Sequence, residues 1–511
     1  MGGSTSIVGE RAGWFWLGCA AISAGVLLHL PMLVMAHRMG NHLSGMPMDW
    51  QMLLGMVLIG VGVPLACWGA LPKQRAPHGS HAGTDYEAPD STPLNRWHGL
   101  TLFVLTIGLV IDVMKPATLG FVLPGLRTEY GLEKSTAALL PLVALTGTTV
   151  GSFLWGWLAD IYGRRVSILL SSILFASTAI CGAMPAFGWN LVMCFLMGAS
   201  AGGMLPVVYA LLAEVMPPRH RSWVLVLVGG TGLVGGYLAA SGAAHVLEPV
   251  FGWRALWLQG FPSGLALLAL ARFIPETPRF LAEQGRTEEL ARMERRFGLK
   301  PAPRAAPPAD AAEAAAQHGK LTLALVIAAL SWSFVNFGLL LWLPSDLQAR
   351  GYSAELASGI LARSSLLALP TIFVCAWCYA KLSSKWTLVA TIVLTLVGLV
   401  GALLPAALLQ WQPLLIAIIA LLILGTNGTI AVLLPYTAEN YPLGNRGRAT
   451  GLVAGSSKFG GVAVQVAALA GFIPTLVGAA VALIIPTAIS AAMLGWAGRE
   501  TRGRSLRELE A

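Results

Sequence analysis

Four charged side chains stand well inside stretches that are otherwise apolar, and these are the residues placed to do chemistry. Asp112 and Lys115 lie in Leu109-Val110-Ile111-Asp112-Val113-Met114-Lys115-Pro116. Arg363 lies in the apolar run 354–379, and Lys458 stands among Gly455, Gly460 and Gly461. A charge in hydrocarbon is costly and persists only with a partner or water, so each marks a candidate site. Asp112 and Lys115 are three residues apart and share one helix face. They read either as a structural ion pair that neutralises itself, or as a proton site at Asp112 whose affinity depends on whether Lys115 or water is near. Pro116 removes a backbone donor and loosens the helix there. Arg363 can grip a carboxylate bidentately; the rival reading is snorkelling, because it stands only about 13 Å of helix rise into its run. Lys458 has small neighbours that permit close packing or a cavity. Three cations against one carboxylate favour an anionic ligand, with Arg363 and Lys458 as its expected grips. Tyr209, Trp332, Asn336 and Tyr436 are the expected aromatic and polar neighbours, suited to a planar molecule; packing and interfacial belts are the alternative for each.

The stretches that carry these residues set the class. The chain has 511 residues, 56% hydrophobic and only 11% charged, where a soluble domain carries about 25% charge. Fourteen apolar runs are long enough to cross a bilayer: 12–36, 50–71, 100–124, 137–159, 166–185, 190–214, 223–245, 253–274, 321–345, 354–379, 386–405, 412–437, 449–472 and 474–497. The fold class is therefore an all-α membrane protein. No cleavable signal peptide is evident at the first run. The six cysteines all fall inside apolar runs, and Cys375-x-x-Cys378 reads as packing. Residues 76–95 and 301–319 are polar or Pro/Ala-rich and read as unstructured linkers.

Charge placement sets an orientation. With the amino terminus in the cytoplasm, 25 of the 33 Lys and Arg fall in cytoplasmic segments. Arg38, Arg127, Lys134, Arg254 and Arg350 fall outside. That is the positive-inside pattern, and it accounts for the net charge of +9 without nucleic acid. Both termini are expected in the cytoplasm of a multi-pass protein of the cell membrane.

An internal repeat divides the chain. Ala213-Glu214-Val215-Met216-Pro217, followed by Arg219 and Arg221, returns as Ala438-Glu439-Asn440-Tyr441-Pro442, followed by Arg446 and Arg448, 225 residues on. Glu276-Thr277 returns as Glu500-Thr501, 224 residues on. Near-equal offsets indicate a duplicated bundle. The expected organisation is a two-helix membrane module at 1–75, a cytoplasmic linker at 76–96, a six-helix bundle at 97–274, a central cytoplasmic loop at 275–320, a second six-helix bundle at 321–498 and a cytoplasmic tail at 499–511.

Several motifs now become recognisable. Gly156-Trp157-Leu158-Ala159-Asp160-Ile161-Tyr162-Gly163-Arg164-Arg165 resembles the G-x-L-x-D-x-x-G-R-R loop of the major facilitator superfamily. Pro275-Glu276-Thr277-Pro278-Arg279-Phe280-Leu281 resembles its P-E-S-P-R-x-L element, and Glu500-Thr501-Arg502-Gly503-Arg504-Ser505-Leu506 resembles the P-E-T-x-G-R-S-L ending of sugar porters. The resemblance covers residues 97–511 and implies two six-helix bundles preceded by two additional helices. It implies secondary transport by alternating access, with aromatic-acid and sugar-porter-like metabolite:proton symporters as the nearest branches. It further implies a cytoplasmic gate in which Gly156, Asp160, Gly163, Arg164 and Arg165, with Glu214, Arg221, Glu276, Arg279, Glu439 and Arg448, form charge contacts across the bundle that break as the halves rock. Plain positive-inside charge is the other reading of the arginines. The matching loop of the second half, Ala380-Lys381-Leu382-Ser383-Ser384-Lys385, lacks the Asp and the Gly-Arg-Arg.

The expected function is proton-coupled symport of a small organic anion, an aromatic or other carboxylate, by a monomer. Its partners are that small molecule, the proton and the bilayer. Antiport efflux of a drug or metabolite is the alternative within transport. A sensor or metal-binding receptor using residues 12–71 is the alternative outside it. That region carries His37, Met39, His42 and Met46 in a Met/His-rich loop whose thioether and imidazole groups would suit Cu(I). No tight ligand spacing is present, and Met also packs flexibly in lipid. No Walker loop, Ser/His/Asp set or dinucleotide fingerprint occurs. No enzyme activity, cofactor or resident metal is expected.

Overall fold

The computed structural model describes residues 11–71, 84–89, 91–303, 319–441, 443–472 and 475–502. Among them, fourteen helices are long and apolar enough to cross a membrane. They are α1 (Ala12–Arg38), α2 (Trp50–Ala70), α3 (Arg96–Tyr130), α4 (Lys134–Tyr162), α5 (Arg164–Ala183), α6 (Phe187–Val215), α7 (Pro218–Phe251), α8 (Ala255–Phe273), α9 (Gly319–Ala349), α10 (Ala354–Lys381), α11 (Ser384–Gly401), α12 (Gln412–Asn440), α13 (Arg448–Leu469) and α14 (Leu476–Ala497). Helices α3–α8 and α9–α14 form the two six-helix bundles, and α1 and α2 stand beside the first.

Local chemistry starts and stops these helices. The Asn95 side chain accepts from Trp97 N and His98 N while Asn95 N donates to His98 Nδ1, a reciprocal cap that fixes the start of α3. Gly131, at φ 63°, ends it. Asp49 caps α2 by accepting from Met52 N at 2.8 Å. Ser383 caps α11 by accepting from Trp386 N at 2.9 Å. Helix α1 is interrupted at Leu28–His29, just before Pro31.

Packing at the two ends of the molecule differs. One end carries Arg164, Arg165, Lys381 and Lys385 and is called the basic end. Toward the opposite end a single apolar core runs through both bundles, with Leu119, Val122 and Leu126 of α3 clustered with Leu339, Leu343 and Ile360 of the second bundle. The helices approach so closely there that a Cβ on Gly120 would lie 2.6 Å from the Leu341 carbonyl oxygen. Toward the basic end the cores separate. Leu211, Leu212 and Val215 belong to the first bundle's cluster. Leu325, Ile430 and Leu433 belong to the second bundle's, with Val226 of α7 as the bridge between them.

Two connections missed by the sequence reading tie the added segments to the core. The first is a clasp at the end opposite the basic one. Arg254 and Glu129 form an ion pair at 2.6 Å, with side chains only 2% and 3% exposed. Glu129 also accepts from Leu43 N at 2.6 Å and Ser44 N at 3.0 Å in the α1–α2 loop, and from Trp253 Nε1 at 3.0 Å. Arg254 donates further to the carbonyls of Gly182 and Met184. One buried carboxylate thus fastens the two-helix module to the bundle. The second is a short antiparallel ladder between β1 (Thr84–Glu87) and β2 (Lys300–Pro303), Thr84 opposite Pro303 and Glu87 opposite Lys300. It corrects the expectation that both linkers are unstructured; residues 76–83, 90 and 304–318 lie outside the described residues.

Candidate functional site

The bundles bring one carboxylate and one ammonium into each other's field. Asp112 on α3 is buried, Lys458 on α13 is half-buried, and each is the opposite charge that acts on the other. Among the described residues the two do not close to ion-pair distance, and neither makes a hydrogen bond. Opposite charges on the two halves that do not close on each other leave each able to answer to a third charged group.

Helix α9 packs along α13, which carries Lys458. The α9 segment Phe334–Leu340 is π-helical, a rare geometry that concentrates at functional sites. Helix α13 holds both sides of this bulge. Ser333 Oγ donates to the Ser457 carbonyl at 2.5 Å, and Gln465 Nε2 donates to the Phe337 carbonyl at 2.7 Å. Gln465 Oε1 in turn accepts from Trp342 Nε1 at 3.3 Å. Lys458 follows Ser457 directly on α13. Trp332 and Phe337 meet edge to face, centroids 5.7 Å apart at 80°, and among the described residues the Trp332 Nε1 has no hydrogen-bond partner. Asn336 is half-buried on the same segment. From the first bundle, Tyr209 on α6 and Tyr237 on α7 have hydroxyls without a hydrogen-bond partner among the described residues. Tyr209 Oη lies over Gly229, where a side chain would collide with it. Tyr237, its ring 6.0 Å from Phe121, was missed from sequence; its signal was a phenol just after Gly235-Gly236 in an apolar run.

Three expected ligands stand elsewhere. Lys115 does not pair with Asp112. Its Nζ donates to the Phe175 carbonyl and to Thr178 Oγ1, each at 2.5 Å, and sits 4.3 Å from the centroid of the Phe175 ring. Three residues turn a helix by about 300°, so the two side chains diverge by roughly 60°, enough to send the long Lys stem into the first bundle. Arg363 is exposed on the face that carries Leu366 and Leu367, 60% and 56% exposed. That is an outward face of α10, and the snorkelling reading fits it. Tyr436 is fully buried, and its hydroxyl donates to the Arg499 carbonyl at 2.6 Å; it packs the basic end of the second bundle.

The motif residues gather at the basic end, where Glu276 and Glu500 each bind within their own bundle. Glu276 accepts from Arg164 N at 2.8 Å, Arg165 N at 3.3 Å and Thr277 N at 3.1 Å, so a carboxylate sits on the N-terminus of α5. Burial pushes its carboxyl up, and these N–H groups oppose that. Gly163 joins α4 to α5 at φ 97°, ψ 161°, a conformation open in practice to glycine alone. Arg164 pairs with Asp160 at 3.1 Å, and its charge, with that of Arg279, acts on Glu214. Arg279 also pairs with Glu283, and Arg221 donates to the Met216 carbonyl at 3.5 Å. A Cβ on Gly156 would meet nothing within 4 Å, so no close approach requires glycine there.

The second bundle repeats this device with different residues. Glu500 accepts from Ser383 Oγ, from Ser384 N at 2.9 Å and Ser384 Oγ at 2.6 Å, and from Arg502 N at 3.0 Å. It therefore caps α11 as Glu276 caps α5. Burial works against its charge, but these hydrogen bonds outweigh it and hold the pKa down to about 2. Glu439 accepts from Tyr379 and Thr501, at 2.7 and 2.6 Å. Arg448 is exposed, and the Arg446 side chain lies outside the described residues. The expected cross-bundle charge gate is not made by these contacts, each of which lies inside one half at an end where the two cores are apart.

The Met/His loop does not gather. The His37 ring packs 5.5 Å from Phe251, Met39 and His42 are exposed, and Met46 packs against the first bundle's core. Among the described residues no three His, Cys, Asp or Glu side chains come together.

Comparison with known proteins agrees with the fold. A Bacillus subtilis (strain 168) protein provisionally named niacin/nicotinamide transporter NiaP is 29% identical over 362 residues, 71% of this chain and 85% of its own. The niacin transporter NiaP of Acinetobacter baylyi (strain ATCC 33305 / BD413 / ADP1) is 25% identical over 395 residues, 74% of this chain and 88% of its own. Among solved structures, the proton:xylose symporter XylE superposes with a TM-score of 0.61 at 18% identity, over 81% of this chain and 98% of its own; XylE from E. coli in a partially occluded inward open conformation gives the same score at 17%, over 80% and 100%. The profile of the Major Facilitator Superfamily matches residues 105–408. With that match over more than half its length, the chain belongs to the Major Facilitator Superfamily and is a multi-pass secondary transporter rather than an enzyme.

Proposed function

We propose that the protein is a proton-coupled importer of a small aromatic carboxylate of the niacin type, with its basic end in the cytoplasm. The observation that carries this reading is the pairing in field, but not in contact, of Asp112 and Lys458 on opposite bundles. A substrate carboxylate entering between the halves takes Lys458 as its counter-ion. Asp112 then loses the cation that balances it, and an unbalanced buried charge costs several kcal/mol. Taking up a proton removes that cost, so substrate and proton travel together. Trp332 and Phe337 offer faces and edges to a planar ring, and the unpartnered Trp332 Nε1, Tyr209 Oη and Tyr237 Oη offer hydrogen bonds to its polar atoms. The joined core at one end and separate cores at the other support an arrangement that opens toward the basic end, and the Lys/Arg bias supports that end as cytoplasmic. The names of the two bacterial relatives favour niacin over a sugar.

The test is uptake of radiolabelled niacin into proteoliposomes under an imposed proton gradient, with xylose and nicotinamide as comparison substrates. Accumulation above equilibrium that collapses with the gradient is expected. Asp112→Asn should abolish that accumulation while keeping niacin exchange. If the well-folded variant still accumulates niacin as the parent does, Asp112 is not the proton site. If niacin neither accumulates nor exchanges in the parent, the substrate assignment is wrong.

A further inference from the structure

The two added helices leave a feature that transport does not use. Between the second half of α1 and helices α7 and α8 runs an apolar crevice enclosing about 670 Å³, the size of a site for an organic molecule. Its walls include Leu30, Leu33, Phe251, Leu258 and Phe261. A second, shallower space of about 480 Å³ lies along the face of α1 that carries Leu27, Leu30, Pro31, Val34, Met35 and Arg38, and shares Leu27, Leu30 and Val34 with the first. The interruption of α1 at Leu28–His29 sets the course of its second half along both spaces. From Val26 to Arg38 the helix rises about 18 Å, close to the hydrocarbon depth of one leaflet, roughly 15 Å. Arg38 is exposed, and among the described residues it has no ion-pair partner. The other cation lining the crevice, Arg254, is already committed to Glu129.

We propose that these adjoining hollows hold the two acyl chains of one anionic phospholipid, with its phosphate against Arg38. The spaces lie in the membrane-spanning part of the molecule, where hydrocarbon and not water must fill them. They lie side by side with one shared wall, as two chains on one glycerol require. Among the described residues that line these spaces, Arg38 is the cation without an ion-pair partner, and it stands at the end of α1, where a headgroup lies. The two-helix module thereby becomes half of a lipid site whose other half is the transporter core.

The experiment is native mass spectrometry of the full chain, delipidated in detergent and titrated with phosphatidylglycerol or phosphatidylcholine. One phosphatidylglycerol should bind about fivefold more tightly than phosphatidylcholine, the contribution of one cation near the membrane surface. Leu27→Trp and Val34→Trp fill the hollows from positions 51% and 52% exposed and should expel the lipid. Arg38→Gln should erase the preference while a lipid still binds, which reads the headgroup contact independently if a Trp variant folds poorly. Equal binding of the two lipids by the parent overturns the proposal. So does a well-folded Trp variant that keeps its phosphatidylglycerol, or a parent dimer that the Trp variants dissolve, which would make a second copy the occupant.

Discussion

Glu129→Gln is the most exacting perturbation of the architecture. In the parent this side chain receives five hydrogen bonds: two from Arg254, one from Trp253 Nε1 and two from the backbone of Leu43 and Ser44. The Gln amide removes the charge and turns one acceptor into a donor facing donors. Arg254 is then left 2% exposed without a counter-ion. Removing one member of a buried ion pair costs about 3–5 kcal/mol, and two backbone N–H groups of the α1–α2 loop lose a charged acceptor as well. Much of that cost belongs to the stranded charge, so Glu129→Gln combined with Arg254→Met should recover a large part of it. The assay is thermal unfolding in detergent together with limited proteolysis, in which loop 39–49 should become a new cleavage site in the single variant. A single variant within 1 kcal/mol of the parent, its loop still protected, would show that the clasp does not hold the module.

Further outcomes follow from the same geometry. Gly163→Ala should destabilise the protein by about 1–3 kcal/mol, because φ 97° excludes a side chain and the new Cβ would press on Glu276; a thermal melt unchanged from the parent would contradict this. The Glu500 carboxyl has a folded pKa of about 2, below its usual 4.5. Its contribution is therefore complete above about pH 4.5 and is lost as pH falls from there toward 2. Acid titration of the parent against Glu500→Gln should show a stability gap that is constant near neutrality and closes below pH 4; a gap that widens there would reverse the sign of the argument. Arg363→Gln should leave niacin uptake and its KM unchanged, since the side chain faces outward with Leu366 and Leu367; a large rise in KM would return it to the binding site.

What could be read from the sequence was what depends on composition and short-range order. Long apolar runs dictate membrane-spanning helices, because hydrocarbon leaves backbone groups no partner outside their own helix. The two A-E-x-x-P segments and the two Glu-Thr pairs revealed the duplication, and Asp112 and Lys458 stood out because isolated charges in such runs are rare. What the tertiary structure alone decided was partnership. Spacing put Lys115 beside Asp112, yet packing turned it to Phe175 and Thr178 and set Lys458, 346 positions away, opposite Asp112. The loop 380–385 lacked the signature of its counterpart, but Ser383 and Ser384 receive Glu500 much as the Arg164 and Arg165 backbone receives Glu276. An N-terminal cap needs only N–H groups and an acceptor, which many sequences supply. Tyr436 and Arg363 were indistinguishable from site residues by type, because which side of a helix faces the centre depends on the neighbours that cover the other sides. The clasp of Glu129 and Arg254 was hidden for the same reason: each is an ordinary loop-end charge until folding brings α1, α3 and α8 together and removes the water between them.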